Sequence, residues 1–278
     1  MTPSTQGPEP NRDHSLVHLL FDRENPASPS VGMRPPLVWS SIGAFFSALL
    51  ALGVSFGAFN SALTVLALCL AIIPGWPVFL GLTNRGVSRV VMLLTLAAAL
   101  PAAYFGTLTT TMFVAVGAIF LSFVGEMLRR DGRIHLIEHI SASAAGAMLM
   151  ITASFWVHVG GAWERSSNTG ADPGVVVGLT IAITIAVTAL FHGFDTDKAN
   201  WLGTLNAVIV GGVAAYLLGG PFWVGLLIGV IVGLFYAVVR RSLDAFERPL
   251  SWVQGVTKSL VPHCSLGVIG YILTVILL

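Results

Sequence analysis

The sequence predicts an all-α, polytopic integral membrane helix bundle with about nine transmembrane helices and a cytoplasmic N-terminus. Three observations carry that reading. Hydrophobic residues make up 55% of the 278 and charged residues only 10%, against roughly 25% charged in a soluble domain, so too few charges are present to cover a water-facing surface. The apolar residues fall in long uniform runs rather than ten-residue alternating ones, which selects helices over a barrel, because in lipid the backbone must satisfy its own hydrogen bonds. Finally, Lys and Arg collect in alternate loops, as cytoplasmic loops require.

Residues 1–36 are polar and rich in Pro and Ser. They lack the early apolar core of a cleaved secretory signal, so they are expected to form a disordered cytoplasmic tail, with residues 37–278 as the transmembrane domain. Within the tail, Leu16, Val17, Leu19, Leu20 and Phe21 between His14 and Arg23 would suit a short amphipathic turn on the membrane surface.

Apolar windows long enough to cross a core of ~30 Å lie near 37–57, 61–82, 90–106, 108–126, 140–160, 174–193, 201–219, 221–239 and 260–278. The breaks at Gly57 to Asn60, at Thr107 to Thr111 and at Gly219-Gly220-Pro221 leave room only for tight helical hairpins. In the second span Pro74-Gly75-Trp76-Pro77 removes two backbone donors, so the helix must bend or break at Pro74, Gly75 and Pro77. Broken helices expose carbonyls at transport sites; a kink that only steers the chain is the alternative. Pro101 marks another kink site in the third span. The eighth span repeats Gly225, Gly229 and Gly233, a small-residue ridge that lets another helix approach closely. With Gly211 and Gly212 in the seventh span, and the Gly-Gly-Pro turn between them, it predicts a tight pair of those two helices in the bundle centre or at an oligomer contact.

The basic residues are a signal independent of hydropathy. Nine helices with an inside N-terminus place Arg12, Arg23, Arg34, Arg85, Arg89, Arg129, Arg130, Arg133, Lys198, Arg240, Arg241, Arg248 and Lys258 on one side, thirteen of the fourteen Lys and Arg, with Arg165 alone outside. A miscounted helix would invert every later loop and scatter this bias.

The middle of the spans reads as nearly bare of ionisable groups, which disfavours a proton-driven pump with buried carboxylates. His158, Asn206 and hydroxyls such as Ser143, Thr152, Thr180, Thr184 and Thr188 interrupt it, and such groups most often bond helix to helix. Cys69 and Cys264 lie in apolar runs and read as small buried hydrophobes.

At the cytoplasmic boundary, carboxylates, imidazoles and cations gather. One group runs from Glu126 to Arg133 and on to His135, Glu138 and His139. A second holds His192, Asp195, Asp197 and Lys198, and a third runs from Arg240 to Arg248, with Lys258 and His263 entering the ninth helix. Glu126, His192 and Asp195 are the catalytic candidates, being nearest the apolar runs, where partial burial perturbs titration. Arg129 and Arg133 would hold a phosphate through charge-assisted bonds, and Asp195 with Asp197 a divalent metal. The competing reading is a solvated positive-inside rim whose bases touch anionic lipid head groups.

Around Gly125-Glu126-Met127-Leu128-Arg129-Arg130-Asp131-Gly132-Arg133 the chain resembles multi-pass membrane proteins of actinobacteria that carry the generic label of permease, from about the third helix to the sixth; that resemblance implies transport. Arg240 to Ile269 is distantly similar to the signature end of phosphatidate cytidylyltransferases. It departs where the chemistry lies, because His263-Cys264-Ser265-Leu266-Gly267 replaces the His-Gly-Gly and the aspartates that would hold metal ions.

The resulting expectation is a plasma-membrane permease-like transporter of a small or lipidic solute. The alternatives are a non-catalytic membrane subunit or scaffold, and an enzyme acting on a phospholipid or polyprenyl head group at the cytoplasmic leaflet. Expected partners are the bilayer, anionic head groups and a second copy or a membrane complex, not nucleic acid; no cofactor is specified.

Overall fold

A computed structural model describes residues 36–129, 135–166, 173–191, 197–244 and 251–277. The predicted N-terminal tail lies outside the described residues.

The described residues are helical and contain no strand. In chain order the helices are α1 Pro36–Ser55, α2 Ala58–Ile72, the single turn α3 Trp76–Phe79, α4 Arg85–Phe105, α5 Leu108–Met127, α6 Leu136–Ser166, α7 Pro173–Phe191, α8 Asp197–Leu217, α9 Phe222–Asp244 and α10 Trp252–Leu277. Among the described residues eight stretches are long and apolar enough to cross a membrane, with α2 and α3 acting together as one, and α8 adds a shorter apolar stretch at Leu202–Leu217. The chain is a multi-pass membrane protein.

Short hairpins reverse the chain. Gly57 and Gly219 close two of them with φ of 94° and 84°, in the left-handed region that only glycine enters without strain. Thr107 and Thr110 form a reciprocal capping box at the start of α5, satisfying donors that the helix leaves open. Hydroxyls inside the spans turn back on their own helix: Thr184 Oγ1 donates to the Thr180 carbonyl at 2.6 Å and Thr188 Oγ1 to that of Thr184 at 2.7 Å, so neither leaves an open donor in a lipid environment.

The core lies along α6 and α10, of whose spanning stretches 61% is buried against 17% in α5. The two are packed together: Trp156 Nε1 donates to the His263 carbonyl at 3.0 Å, and Gly267 sits against the Thr152 carbonyl. At the edge of the bundle α8 and α9 pack backbone to backbone. Gly225 lies against the Gly211 carbonyl, and a Cβ on Gly229 would meet the Ala207 carbonyl and stand 2.6 Å from Val208 Cα. A Cβ on Gly233 would come within 2.8 Å of the Ala207 methyl group.

One boundary departs from expectation with a chemical consequence. The last helix starts at Trp252, eight residues before the run read from hydropathy, and its first turns carry Lys258, which pairs with Asp244 at 2.7 Å. His263 therefore lies about 16 Å into α10 at 1.5 Å per residue, fully buried rather than at the boundary. An ionisable side chain is thus buried well inside a spanning helix.

Candidate functional site at the charged end

Successive reversals bring the end of α3, the start of α4, the end of α5, the start of α6, the end of α9 and the start of α10 to one end of the bundle. Every Lys, Arg, Asp and Glu whose side chain is described lies at this end: Arg85, Arg89, Glu126, Arg129, Glu138, Arg240, Arg241, Asp244 and Lys258.

Here the second span breaks. The α2 ladder ends at Ile72, Ile73 to Gly75 form a turn, and α3 restarts at Trp76 with Pro77 in its first turn. The carbonyls around the break find side-chain donors elsewhere: Arg89 Nη2 donates to Pro74 at 3.0 Å, Gln254 Nε2 to Val78 at 3.1 Å, and Thr257 Oγ1 approaches Ile72 at 3.5 Å. Gly75 fits because a Cβ there would strike the Thr257 hydroxyl and the Val253 carbonyl. Trp76 Nε1 donates to the Ala142 carbonyl of α6 at 2.8 Å. The break is thus held between α4, α6 and α10.

Beside it, Glu126 near the end of α5 is fully buried. Its Oε2 accepts from Arg129 Nη1 at 2.7 Å, the short distance of a charge-assisted bond. Its Oε1 accepts a longer bond from the Ser143 hydroxyl at 3.4 Å, and His139 Nδ1 stands 3.9 Å from the same oxygen. His139 is 1% exposed. Its Nε2 is 3.0 Å from Thr83 Oγ1, while its Nδ1 has no hydrogen-bond partner among the described residues. Thr83 is exposed, so these contacts run from a buried acid to the outside. They end in a cleft of about 620 Å³ walled by Trp76, Phe79, Thr83, Ser141 and Ala142, with Glu138 and His135 at its rim. His135 Nδ1 and Glu138 pair there at 3.2 Å, both largely exposed.

A second polar group lies deeper. Ser47 Oγ and His263 Nε2 are 2.8 Å apart, both fully buried, and the Tyr236 ring stands edge-on to the imidazole at 6.4 Å between centroids.

Of the residues singled out from sequence, Glu126 and Arg129 are together, and Pro74, Gly75 and Pro77 adjoin Trp76, which lines the cleft. Gly225, Gly229 and Gly233 belong to the α8–α9 seam at the edge of the bundle. Arg133, His192 and Asp195 lie outside the described residues, as does the side chain of Asp197, which opens α8. Among the described residues no three His, Cys, Asp or Glu side chains group as a metal site. Sequence reading placed His139 in the boundary group without choosing it. Its spacing of four from Ser143, which puts both on one helix face, was the available signal. Nothing in the sequence joins Thr83 to either.

No protein-family model, no curated protein and no solved structure matches the chain.

Proposed function

We propose that the chain is a permease-like transporter of the plasma membrane, with its N-terminus and its charged end in the cytoplasm, and that a small or lipidic solute enters through the cleft between α3, the α3–α4 loop and α6. One observation carries this reading: a cleft open to the outside sits against a broken spanning helix and leads to a fully buried Glu126. Buried charge within spanning segments costs stability and marks solute or ion paths, and broken spans recur at transport sites. The orientation rests on the arginines and lysines at that end, which cytoplasmic loops favour.

The test compares solutes inside and outside cells of a deletion strain with those of the complemented strain, by mass spectrometry. At least one solute should change its distribution on complementation. Ser141→Trp, which fills the cleft, should abolish the change, whereas Phe120→Trp on the exposed face of α5 should not. Identical profiles in the deletion and complemented strains would overturn the reading.

A further inference from the structure

We propose that the Trp76 indole is the inner gate of the cleft: seated over Gly146 it closes the way from the cleft into the bundle, and the short helix α3 carries it aside when a solute passes. Trp76 belongs to two environments at once. It lines the cleft, and it is also part of the apolar core, 6% exposed and in one cluster with Met92. The notch that holds the ring depends on one residue. A Cβ on Gly146 would lie 2.7 Å from Trp76 Nε1 and 2.8 Å from Met92 Sδ, so only glycine leaves the indole room beside the thioether. Beyond the ring stands Met92, fully buried, whose unbranched side chain can repack around a passing group.

The ring is carried by an element with a joint at each end. α3 is a single turn, Trp76–Phe79. Before it the ladder of the span is broken at Ile73 to Gly75. After it Gly81 takes a φ of 69°, and nothing lies within 4 Å of where its Cβ would stand. Two such joints let a short element rotate without unwinding the helices beside it. Leaving the notch also costs few hydrogen bonds. The indole is a donor only, and it gives its hydrogen to the Ala142 carbonyl at 2.8 Å. That carbonyl lies inside the continuous helix α6, where the Gly146 N–H also serves it, so it keeps a donor when the ring departs. Water in the cleft can accept from the freed Nε1 at little cost. The indole thus has a place to go on the wet side and leaves no buried group unpaired behind it.

The gate rests on the transport reading, because a gate needs something to pass, but the barrier itself is tested without any solute. The experiment uses the full chain in inverted membrane vesicles and a small, charged, membrane-impermeant methanethiosulfonate. Met92→Cys is the reporter beyond the ring and Ser141→Cys the reporter in the cleft. Labelling is read as mass added to the protein, against the same position-76 or position-146 variants carrying only the native Cys69 and Cys264. With Trp76 in place, Ser141→Cys should react and Met92→Cys should be protected. Trp76→Ala should strip Met92→Cys of its protection and leave the reaction of Ser141→Cys unchanged. Should Trp76→Ala not fold, Gly146→Ala displaces the ring with a smaller change and should expose Met92→Cys in the same way. Labelling of Met92→Cys with Trp76 seated over Gly146, or protection that persists in the folded variants while Ser141→Cys reacts, would overturn the proposal. Loss of protection with no solute redistributed on complementation would instead overturn the transport reading alone.

Discussion

The α8–α9 seam and the α5–α6 corner at the charged end solve opposite problems of packing in lipid. In the seam nothing polar from a side chain is needed: Gly225 and Gly229 meet the backbone of Gly211, Ala207 and Val208 directly. Lipid tails are as apolar as leucine, so close van der Waals fit is what holds such helices together. In the corner the helices are joined by Glu126, Arg129, His139 and Ser143 at distances from 2.7 to 3.9 Å. The seam admits one arrangement because backbones cannot exchange partners. The corner is looser, because its buried acid is bonded to Arg129 at 2.7 Å and more weakly to Ser143 at 3.4 Å, and stands 3.9 Å from His139. The difference teaches where to look for function in a glycine-rich bundle: the tightest packing fixes the frame, and the loosest polar contact marks what can change.

The largest expected effect breaks the frame. Gly229→Leu puts a side chain where Val208 Cα would stand 2.6 Å from a Cβ, and overpacking of this kind costs about 1–3 kcal/mol even where the backbone can yield. The folded yield and the thermal midpoint in detergent should both fall sharply. An unchanged midpoint would mean that the seam is not a close contact.

Next comes the core behind the corner. Trp156→Phe removes the donor to the His263 carbonyl and part of a fully buried ring. We expect a loss of about 1–3 kcal/mol, read as a lower melting temperature with the helical content retained. Ser47→Ala leaves His263 Nε2 without its 2.8 Å partner and should cost about 1 kcal/mol; a cost near zero would indicate that water takes the place of the hydroxyl.

The smallest effect on stability sharpens the contrast. Phe120→Ala, on the 68% exposed face of α5, should leave the melting temperature within a degree or so, since surface changes away from special contacts lie within about 0.5 kcal/mol. A large loss there would reveal a packed partner surface on α5.

How much of this was legible in the sequence depends on the physical range of each interaction. The spans and their order were readable, because a run of apolar residues is a local property and lipid leaves the backbone few options. The glycine ridge is readable as a ridge, and Gly211 and Gly212 in the preceding span, across a Gly-Gly-Pro turn, point to its partner. The last boundary was misjudged: hydropathy stops at Lys258, but Asp244 of the preceding helix pairs with that lysine, a contact between residues far apart in sequence. The same shift hid His263, which then lay in the middle of α10. In the candidate site, Glu126 stood out by its position at the end of an apolar run. His139 did not, because its importance comes from Thr83 on one side and Glu126 on the other, both distant in the chain. Long-range juxtaposition of single polar residues leaves no periodic mark.

Entry of a solute as proposed requires a cleft at the charged end that holds water and opens to the cytoplasm. Ser141 is exposed and lines that cleft, while the native Cys69 and Cys264 are fully buried and should not react with a charged reagent. A Ser141→Cys variant treated with a membrane-impermeant maleimide decides the matter. We expect labelling in inverted membrane vesicles and none in right-side-out cells. Labelling from the outside of intact cells would reverse the topology, and protection from both sides would mean that the cleft holds no water.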